Sequence, residues 1–425
     1  MKSPAACRCD VAIVGGGMVG ASLALALAGT RLKILLIEAV AVSSATQPSF
    51  DDRSTALGNG ARQILTTLGV WEQIAADAGP IREIHISDAG HFGFARLNAA
   101  EHELAALGYT ISNRQLGAAL WRSLARCGRI ELRSPARVTA VELGPEWAQL
   151  RVRSGRVTQA TGHAGDGGDA QPGDDSLVQA RLVVAADGAH SLVKQAAGID
   201  SSERDYQQVA LVANVRTDRQ ARGIAYERFT ASGPLALLPL AGGEYAAVWT
   251  LAPGSAQAMR AADDGEFCQA LQQSFGWRAG QILQVGRRAS YPLALVRAER
   301  LSGERVALIG NAAQALHPVA AQGFNLGLRD AAMLAELIAS ASDPGSDVLL
   351  SQFAAQRAAD RRGMIAFTDQ LVQLFRTRRA GAIAARDLGL LLFDLSPPAK
   401  RALSRLSWGF GRTLPRLSRG LPLQS

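Results

Sequence analysis

The sequence predicts an α/β protein in which a Rossmann-like unit is joined to a mainly antiparallel sheet of α+β character and a helical C-terminal region. Three observations predict it. Near the N-terminus, Asp10-Val-Ala-Ile-Val-Gly15 reads as a buried strand that turns through Gly15-Gly16-Gly17-Met18-Val19-Gly20 into an alanine- and leucine-rich helix. From Gln207 to about Arg288 the pattern changes to short runs rich in Val, Leu, Tyr and Trp, which reads as antiparallel sheet. The last hundred residues are helical by periodicity, with breaks at Pro344-Gly345 and Pro397-Pro398.

At 425 residues and 48% hydrophobic composition, the chain is globular and long enough for two or three packed units. Its four cysteines, at 7, 9, 127 and 268, include no Cys-x-x-Cys pair and suit a reducing compartment; no metal site is expected. Residues 11 to 28 are apolar enough to imitate a signal peptide or a short span, but three consecutive glycines and the flanking Asp10 argue against both. The formal charge of +8 is concentrated at the end, where residues 376 to 425 hold ten Arg or Lys against two Asp. With no recognisable nucleic-acid module, a membrane surface ranks ahead of a merely solvated one. The expected location is the cytoplasm, at the inner face of the cell membrane if peripheral.

Taken in order, the first unit carries a fingerprint with a mechanism. Gly15, Gly17 and Gly20 follow a strand and open a helix, and Glu38 closes the next strand 18 residues past Gly20. Such glycines permit the tight turn, the approach of a pyrophosphate and close helix–strand packing, while the carboxylate accepts from a ribose hydroxyl. A polar connection from Ser43 leads to Asp51-Asp52-Arg53-Ser54, after which Leu57, Ile64, Leu65 and Leu68 keep a helical stripe. Asp52 or Ser54 reads as its cap. Residues 81 to 108 alternate as strands, and a helix begins near Arg114. Residues 162 to 176, with five glycines and four aspartates, read as a flexible loop tip, with a calcium site as the distant alternative. Leu182-Val-Val-Ala-Ala then delivers Asp187-Gly188 at a strand end. A helical interval near Phe267–Phe275 interrupts the later strands.

The segment from Arg305 to Asp330 repeats the strand–turn–helix layout. Val306 to Ile309 is strand-like, the chain turns at Gly310-Asn311, a loop holds His317-Pro318 and Gly323, and a helix follows from Phe324. Free backbone N–H groups at such a helix start suit a phosphate or an anionic ring edge. Asn311 would meet a polar chain, and Gly323 would let backbone approach a flat ring.

Together, the glycine fingerprint, Asp187-Gly188 and the Gly310 motif ending in HPVAAQGFNLG resemble the single-component FAD-dependent aromatic hydroxylases. Within that group the chain is most similar to the ubiquinone-biosynthesis hydroxylases of the methoxyphenol branch. That likeness runs through FDDRSTAL (50–57), HISDAGHFGF (85–94), ERFTASGPLALLPL (227–240), SFGWRAGQI (274–282) and ASYPLAL (289–295). Two departures stand out: Asn311 occupies a position where most members have Asp, and Lys194 one where Arg is usual.

The resemblance implies non-covalent FAD, NAD(P)H as a transient co-substrate, O2, and a polyprenylated phenol hydroxylated through a flavin C4a-hydroperoxide. It sets Gly15, Gly17, Gly20, Glu38, Arg114, Asp187, Gly188, Gly310, Asn311, Pro318, Gly323 and Asn325 against the cofactor. Arg53 would lie beside the flavin ring and the substrate, and Pro318 to Gly323 would cap the flavin. His317 reads either as an acid–base group or as a hydrogen bonder that positions its loop. The implied division is residues 1–80, 109–200 and 286–342 for FAD, 81–108 and 201–285 for substrate, and 343–425 as a helical region with a basic tail. Leu403, Leu406, Phe410, Leu414, Leu417 and Leu421, with arginines between them, form an amphipathic pattern suited to a membrane, a partner protein or the chain's own body. Other ubiquinone-biosynthesis proteins are candidate partners. An FAD hydroxylase of another phenolic substrate, an FAD oxidase or prenyl reductase, and a non-catalytic flavin scaffold in a biosynthetic complex are the rival functions.

Overall fold

The structure, a computed structural model, describes residues 7–41, 51, 53–155, 175–317, 319, 322–376, 380–401 and 414–423. The glycine-rich run 162–174, Asp52 and Pro318 lie outside these residues, as do Leu403, Leu406 and Phe410.

The first sheet is built around Cys7–Val14, which pairs in parallel with Ile34–Ile37 on one side and Asp175–Ala185 on the other. Ile130–Arg133 and Val306–Leu308 extend it in parallel on either side, and the short Ser302–Gly303 pairs antiparallel outside Val306–Leu308. An antiparallel arm, Ala136–Glu142 and Ala148–Ser154, joins on Asp175–Ala185. The helices Met18–Leu27, Asn113–Cys127 and Gln322–Ser340 pack against it and one another, so Val11, Ala12, Ile13, Leu35 and Leu36 are fully buried. Strands covered on both faces read as continuous apolar runs, which is why this part of the sequence has no alternation. Each Val, Ile or Leu among them contributes roughly 1.5–3 kcal/mol on burial.

The second sheet runs in the order Gln314–Ala315, Ala289–Ala298, Ser201–Thr217, Tyr245–Leu251, Gly233–Pro239, Ile224–Thr230, Glu83–Asp88 and Phe94–Asn98. All neighbours are antiparallel except Ile224–Thr230 with Glu83–Asp88. Its two faces are easily told apart. Leu235 and Leu237 point into a core shared with Phe267, Leu271 and Phe275, while Pro234, Ala236 and Leu238 face a cavity.

One expectation needs correction. Ser54–Gly58 is a strand paired with Gly108–Ser112, and the helix begins only at Asn59, with Gly58 at its N-cap and no side-chain cap. Ser54 therefore does not cap, and Leu57 belongs to the strand; pairing with a distant segment overrode the local helical period. The helical interval expected near Phe267 is present as Asp264–Phe275, whose cap Asp263 accepts from Glu266 N at 2.8 Å; a further helix, Pro253–Ala261, precedes it.

The C-terminal region is helical over Asp347–Arg376 and Ala380–Asp394. Beyond it, Leu417 is buried in the core of the first sheet, its carbonyl accepts from Thr67 Oγ1 at 3.2 Å, and Arg416 N donates to Glu336 Oε2 at 2.7 Å. Leu417 thus packs on the protein's own body and cannot form part of a membrane-facing stripe.

Candidate active site

Between the two sheets and the C-terminal helices lies a cavity of about 1550 Å3, beyond the usual 300–1,000 Å3 of a small-molecule site. Its two ends differ in chemistry.

At the first-sheet end, backbone geometry dictates the residues. Gly15 has φ +104° and donates to Ile37 O at 2.8 Å; a Cβ on it would sit 2.4 Å from Ala186 O. A Cβ on Gly20 would sit 2.0 Å from Gly15 O, so this glycine serves the helix–strand contact rather than the cavity wall. Gly16, which the fingerprint leaves open, is equally constrained: its Cβ would meet Trp121 Cζ2 at 2.6 Å, and its carbonyl accepts from Trp121 Nε1 at 2.9 Å. The helix Met18–Leu27 starts at Gly17 with no side-chain cap, leaving its first N–H groups without a side-chain acceptor beside the cavity.

Glu38 is buried on this wall. Its Oε2 accepts from Gly16 N at 2.7 Å and its Oε1 from Val40 N at 2.9 Å, so the carboxylate organises the turn and keeps further lone pairs. Asp187 is half-buried; Oδ2 accepts from Leu192 N at 3.0 Å, whereas Oδ1, itself out of solvent, has no partner among the described residues. Burial raises its carboxyl above the usual range, against the hydrogen bonds from Ser191 and nearby backbone. Gly188 follows with φ +92°. Lys194 donates from Nζ to Ala189 O at 2.7 Å, which ties down the turn after Asp187, and its burial holds its ammonium below the ordinary range.

Gly310 turns at φ +58° against Val19, and a Cβ on Gly327 would come within 2.9 Å of Gly310 Cα. Asn311 is exposed on the cavity wall, and Gly323 has open space where a Cβ would be. Asn325 is buried and clamps a neighbouring strand: its Oδ1 accepts from Gly58 N at 2.9 Å and its Nδ2 donates to Ala56 O at 2.8 Å.

Arg53 sits where the two ends meet. Its Nε pairs with Asp51 Oδ2 at 2.6 Å, and its guanidinium lies 4.3 Å from the ring centroid of Tyr291, a residue of the second sheet. Asn113, absent from the sequence expectations, braces it: Nδ2 donates to Asp51 Oδ1 at 3.0 Å, and Oδ1 accepts from Thr55 Oγ1 at 2.6 Å. Asn113 lines the cavity, whereas its neighbour Arg114 is exposed and is not part of the wall.

His317 is buried, edge-on to Tyr206 at 5.1 Å between ring centroids. Its Nδ1 accepts from Val319 N at 3.1 Å, the loop-positioning role, and burial lowers the imidazole to about 4. The ring is therefore neutral near pH 7 with its proton on Nε2, which has no partner among the described residues.

The other end is apolar. Phe229 stacks on Phe375 with centroids 3.3 Å apart, and Leu371, Leu390 and Phe393 close the wall from the C-terminal helices. Arg386, also on the wall, is paired with buried Asp88 and donates to Leu374 O at 3.1 Å. Within this sheet face stands Glu227, which the sequence reading passed over because its position on the cavity side depends on strand register. No described cluster could hold a metal ion, and no described helix is long and apolar enough to cross a membrane.

Comparison with known proteins agrees with this geometry. The family described as FAD binding domain matches residues 8–368. The chain is 36% identical over 421 residues to ubiquinone hydroxylase UbiL of Rhodospirillum rubrum, covering 97% of this chain and 93% of the relative. It is 30% identical over 398 residues to 3-demethoxyubiquinol 3-hydroxylase of Escherichia coli, covering 90% of this chain and 96% of the relative. Among solved structures, p-nitrophenol 4-monooxygenase PnpA from Pseudomonas putida DLL-E4 shares the fold with a TM-score of 0.77 at 17% identity, over 96% of this chain and 100% of that one. The glycine turn, the two carboxylates beside it and these matches together establish that the chain belongs to the family of FAD-dependent ubiquinone-biosynthesis hydroxylases, which are flavin monooxygenases.

Proposed function

We propose that this enzyme hydroxylates the ring of a polyprenyl-methoxyphenol precursor of ubiquinone, using NAD(P)H and O2. The observation that carries the reading is the division of one large cavity into a polar, glycine-built end and an apolar, aromatic end. The residues present fit FAD. Asp187 Oδ1, unpartnered among the described residues, is an acceptor in want of a donor such as a ribityl hydroxyl, and the uncapped start of Met18–Leu27 suits a pyrophosphate. Glu38 would accept from a ribose hydroxyl, and Asn311 would meet the ribityl chain. The amides opening Gln322–Ser340, below the open space at Gly323, would face the anionic edge of the flavin ring.

When bound and reduced by NAD(P)H, FAD supplies the chemistry that delivers one oxygen atom of O2 to the ring. The chain's own tasks are binding, orientation and exclusion of water. Arg53 would steady negative charge on the flavin and on the substrate. His317 would hold its loop and donate from Nε2. Residues 1–80, 109–200 and 286–342 are assigned to the cofactor, and 81–108 with 201–285 to the substrate.

A membrane encounter is part of this reading. The helix Ala380–Asp394 turns Leu390 and Phe393 to the cavity while Leu388 and Leu392 are 56% and 58% exposed on its outside. A helix apolar on both sides suits passage of a lipid tail from a bilayer.

The test is turnover by purified holoenzyme with a prenylated 2-methoxyphenol, NADH or NADPH, and O2. A product with one added oxygen atom is expected. A reduced prenyl chain, or hydrogen peroxide alone, would identify a reductase or an oxidase instead.

A further inference from the structure

We propose that Glu227 is the acid–base residue of the hydroxylation, accepting the proton of the substrate's phenol oxygen as the ring is attacked; this rests on the function proposed above. Strand register sets the position. Glu227 lies opposite Ile86 on one side and Ala236 on the other, and Ala236 lies opposite Val248. All four residues line the cavity, so a carboxyl stands in a cross-strand row that is otherwise apolar. Among the described residues Glu227 has neither a hydrogen-bond nor an ion-pair partner, and its accessible part faces the cavity. A carboxyl left unsatisfied in apolar surroundings costs stability, and such a cost persists where the group has work to do.

Several of the alternatives on the same wall are spoken for. Glu38 and Asp187 are at the glycine-built end. His317 accepts from Val319 N through Nδ1 and is neutral, so it offers a donor, not a base. Arg386, the cation on the C-terminal helices, is paired with Asp88, and the neighbouring His85 is held by Glu83 at 3.0 Å. The desolvation that isolates Glu227 also pushes its carboxyl up to about 7, where an acid–base group is most effective.

The proton balance is simple. The carboxylate takes the phenol proton, and the electron density released raises the ring's nucleophilicity ortho and para to that oxygen. The ring supplies the electron pair for the new carbon–oxygen bond, and the oxygen donor, formed from reduced flavin and O2, leaves with its bonding pair. The attacked carbon then loses its proton to water while the carboxyl returns one to the original oxygen, restoring the phenol and the carboxylate.

The experiment compares wild type, Glu227→Gln and Glu227→Asp holoenzymes on two probes. One is a 2-methoxyphenol with a short prenyl chain, neutral at the assay pH; the other is its nitro-substituted analogue, already ionised. For the neutral probe, Glu227→Gln is expected to keep FAD and probe binding, lose about 10²-fold or more in hydroxylation rate, and divert NAD(P)H oxidation to hydrogen peroxide. Glu227→Asp should recover part of the loss. The wild-type rate should rise through an acid limb near pH 7 that the Gln variant lacks. For the ionised probe the gap between wild type and Glu227→Gln should close. Equal losses on both probes, or a Gln variant with the wild-type rate and pH profile, overturn the proposal and leave the proposed function standing. A wild type that hydroxylates neither probe overturns both. If the Gln variant does not fold, the wild type decides alone: an acid limb with the neutral probe that is absent with the ionised one supports the assignment, and identical profiles refute it.

Discussion

The two ends of the cavity are specified by different means. At the glycine-built end, positions are fixed by backbone collisions: Gly15 and Gly20 leave no room for a Cβ, and Glu38 is tied to two amides of the turn it supports. At the aromatic end, positions are fixed by side chains meeting across strands and helices, as where Phe229 lies on Phe375. The first kind of site tolerates almost no substitution but is written in a short stretch of chain. The second tolerates hydrophobic replacement and is written across the whole molecule.

The comparison breaks most severely at Gly15. Gly15→Val puts a β-branched side chain at φ +104° against Ala186 O, and the purified protein should be colourless and fail to take up FAD in titration calorimetry. Retention of flavin by this variant would show that the turn is more pliant than its geometry implies. At the opposite end, Phe229→Ala should cost about 3–5 kcal/mol in chemical denaturation, because Phe229 is buried against Phe375, yet leave the FAD dissociation constant close to wild type. Loss of FAD together with stability would show that the two ends are one cooperative unit.

Arg53, at the junction, should give a smaller effect. Arg53→Ala removes a charge-assisted contact of roughly 1.5–3 kcal/mol. Stopped-flow reduction is expected to slow, or product yield per NAD(P)H to fall, with the fold intact. Wild-type kinetics would reduce Arg53 to a surface residue.

The last comparison is in the pH dependence of stability, where two residues of the cavity wall carry opposite signs. Burial lowers His317 from 6.5 to about 4, so its contribution to stability is lost as pH falls through that window. Glu227 is raised from 4.5 to about 7, so its contribution is lost as pH rises between those values. Between pH 4.5 and 6.5 the melting temperature of His317→Gln should therefore lose a rising component, and that of Glu227→Gln a falling one. Two variants with the same change in slope would contradict the assignment.

What was legible in the sequence follows the same division. The strand–glycine–helix turn, Glu38, Asp187-Gly188 and the Gly310 motif were readable because a local backbone demand selects a residue type at a fixed spacing. Asn113 was missed by one position, since helical residues 113 and 114 differ only in the face they present, and the partners that hold Asn113 lie at Asp51 and Thr55. Ser54 was misread as a cap because its pairing partner is 58 residues away, at Ser112. Glu227 lies in a stretch whose local pattern carries no sign of a role; only the alternation of its strand against Ile86 and Ala236 turns it into the cavity. Leu417 carried a convincing amphipathic period, and its actual partner, the helix Asn59–Thr67, was invisible to local pattern.

The first sheet also has a consequence for how the enzyme comes into being. Its parallel strands are drawn from residues 7–14, 34–37, 130–133, 175–185 and 306–308, and the wall of its cleft is finished by the helix Gln322–Ser340. During synthesis, therefore, the glycine turn emerges from the ribosome long before the strand and helix that complete its binding cleft. Ferrying of FAD to the nascent chain would accomplish little; loading must wait until about four-fifths of the polypeptide has been made. Until then the edge of Asp175–Ala185 that Val306–Leu308 will cover lacks its partner strand, a state in which aggregation competes with folding. Supply of flavin to cells should accordingly raise the yield of the finished protein without rescuing any fragment that stops short of Ser340.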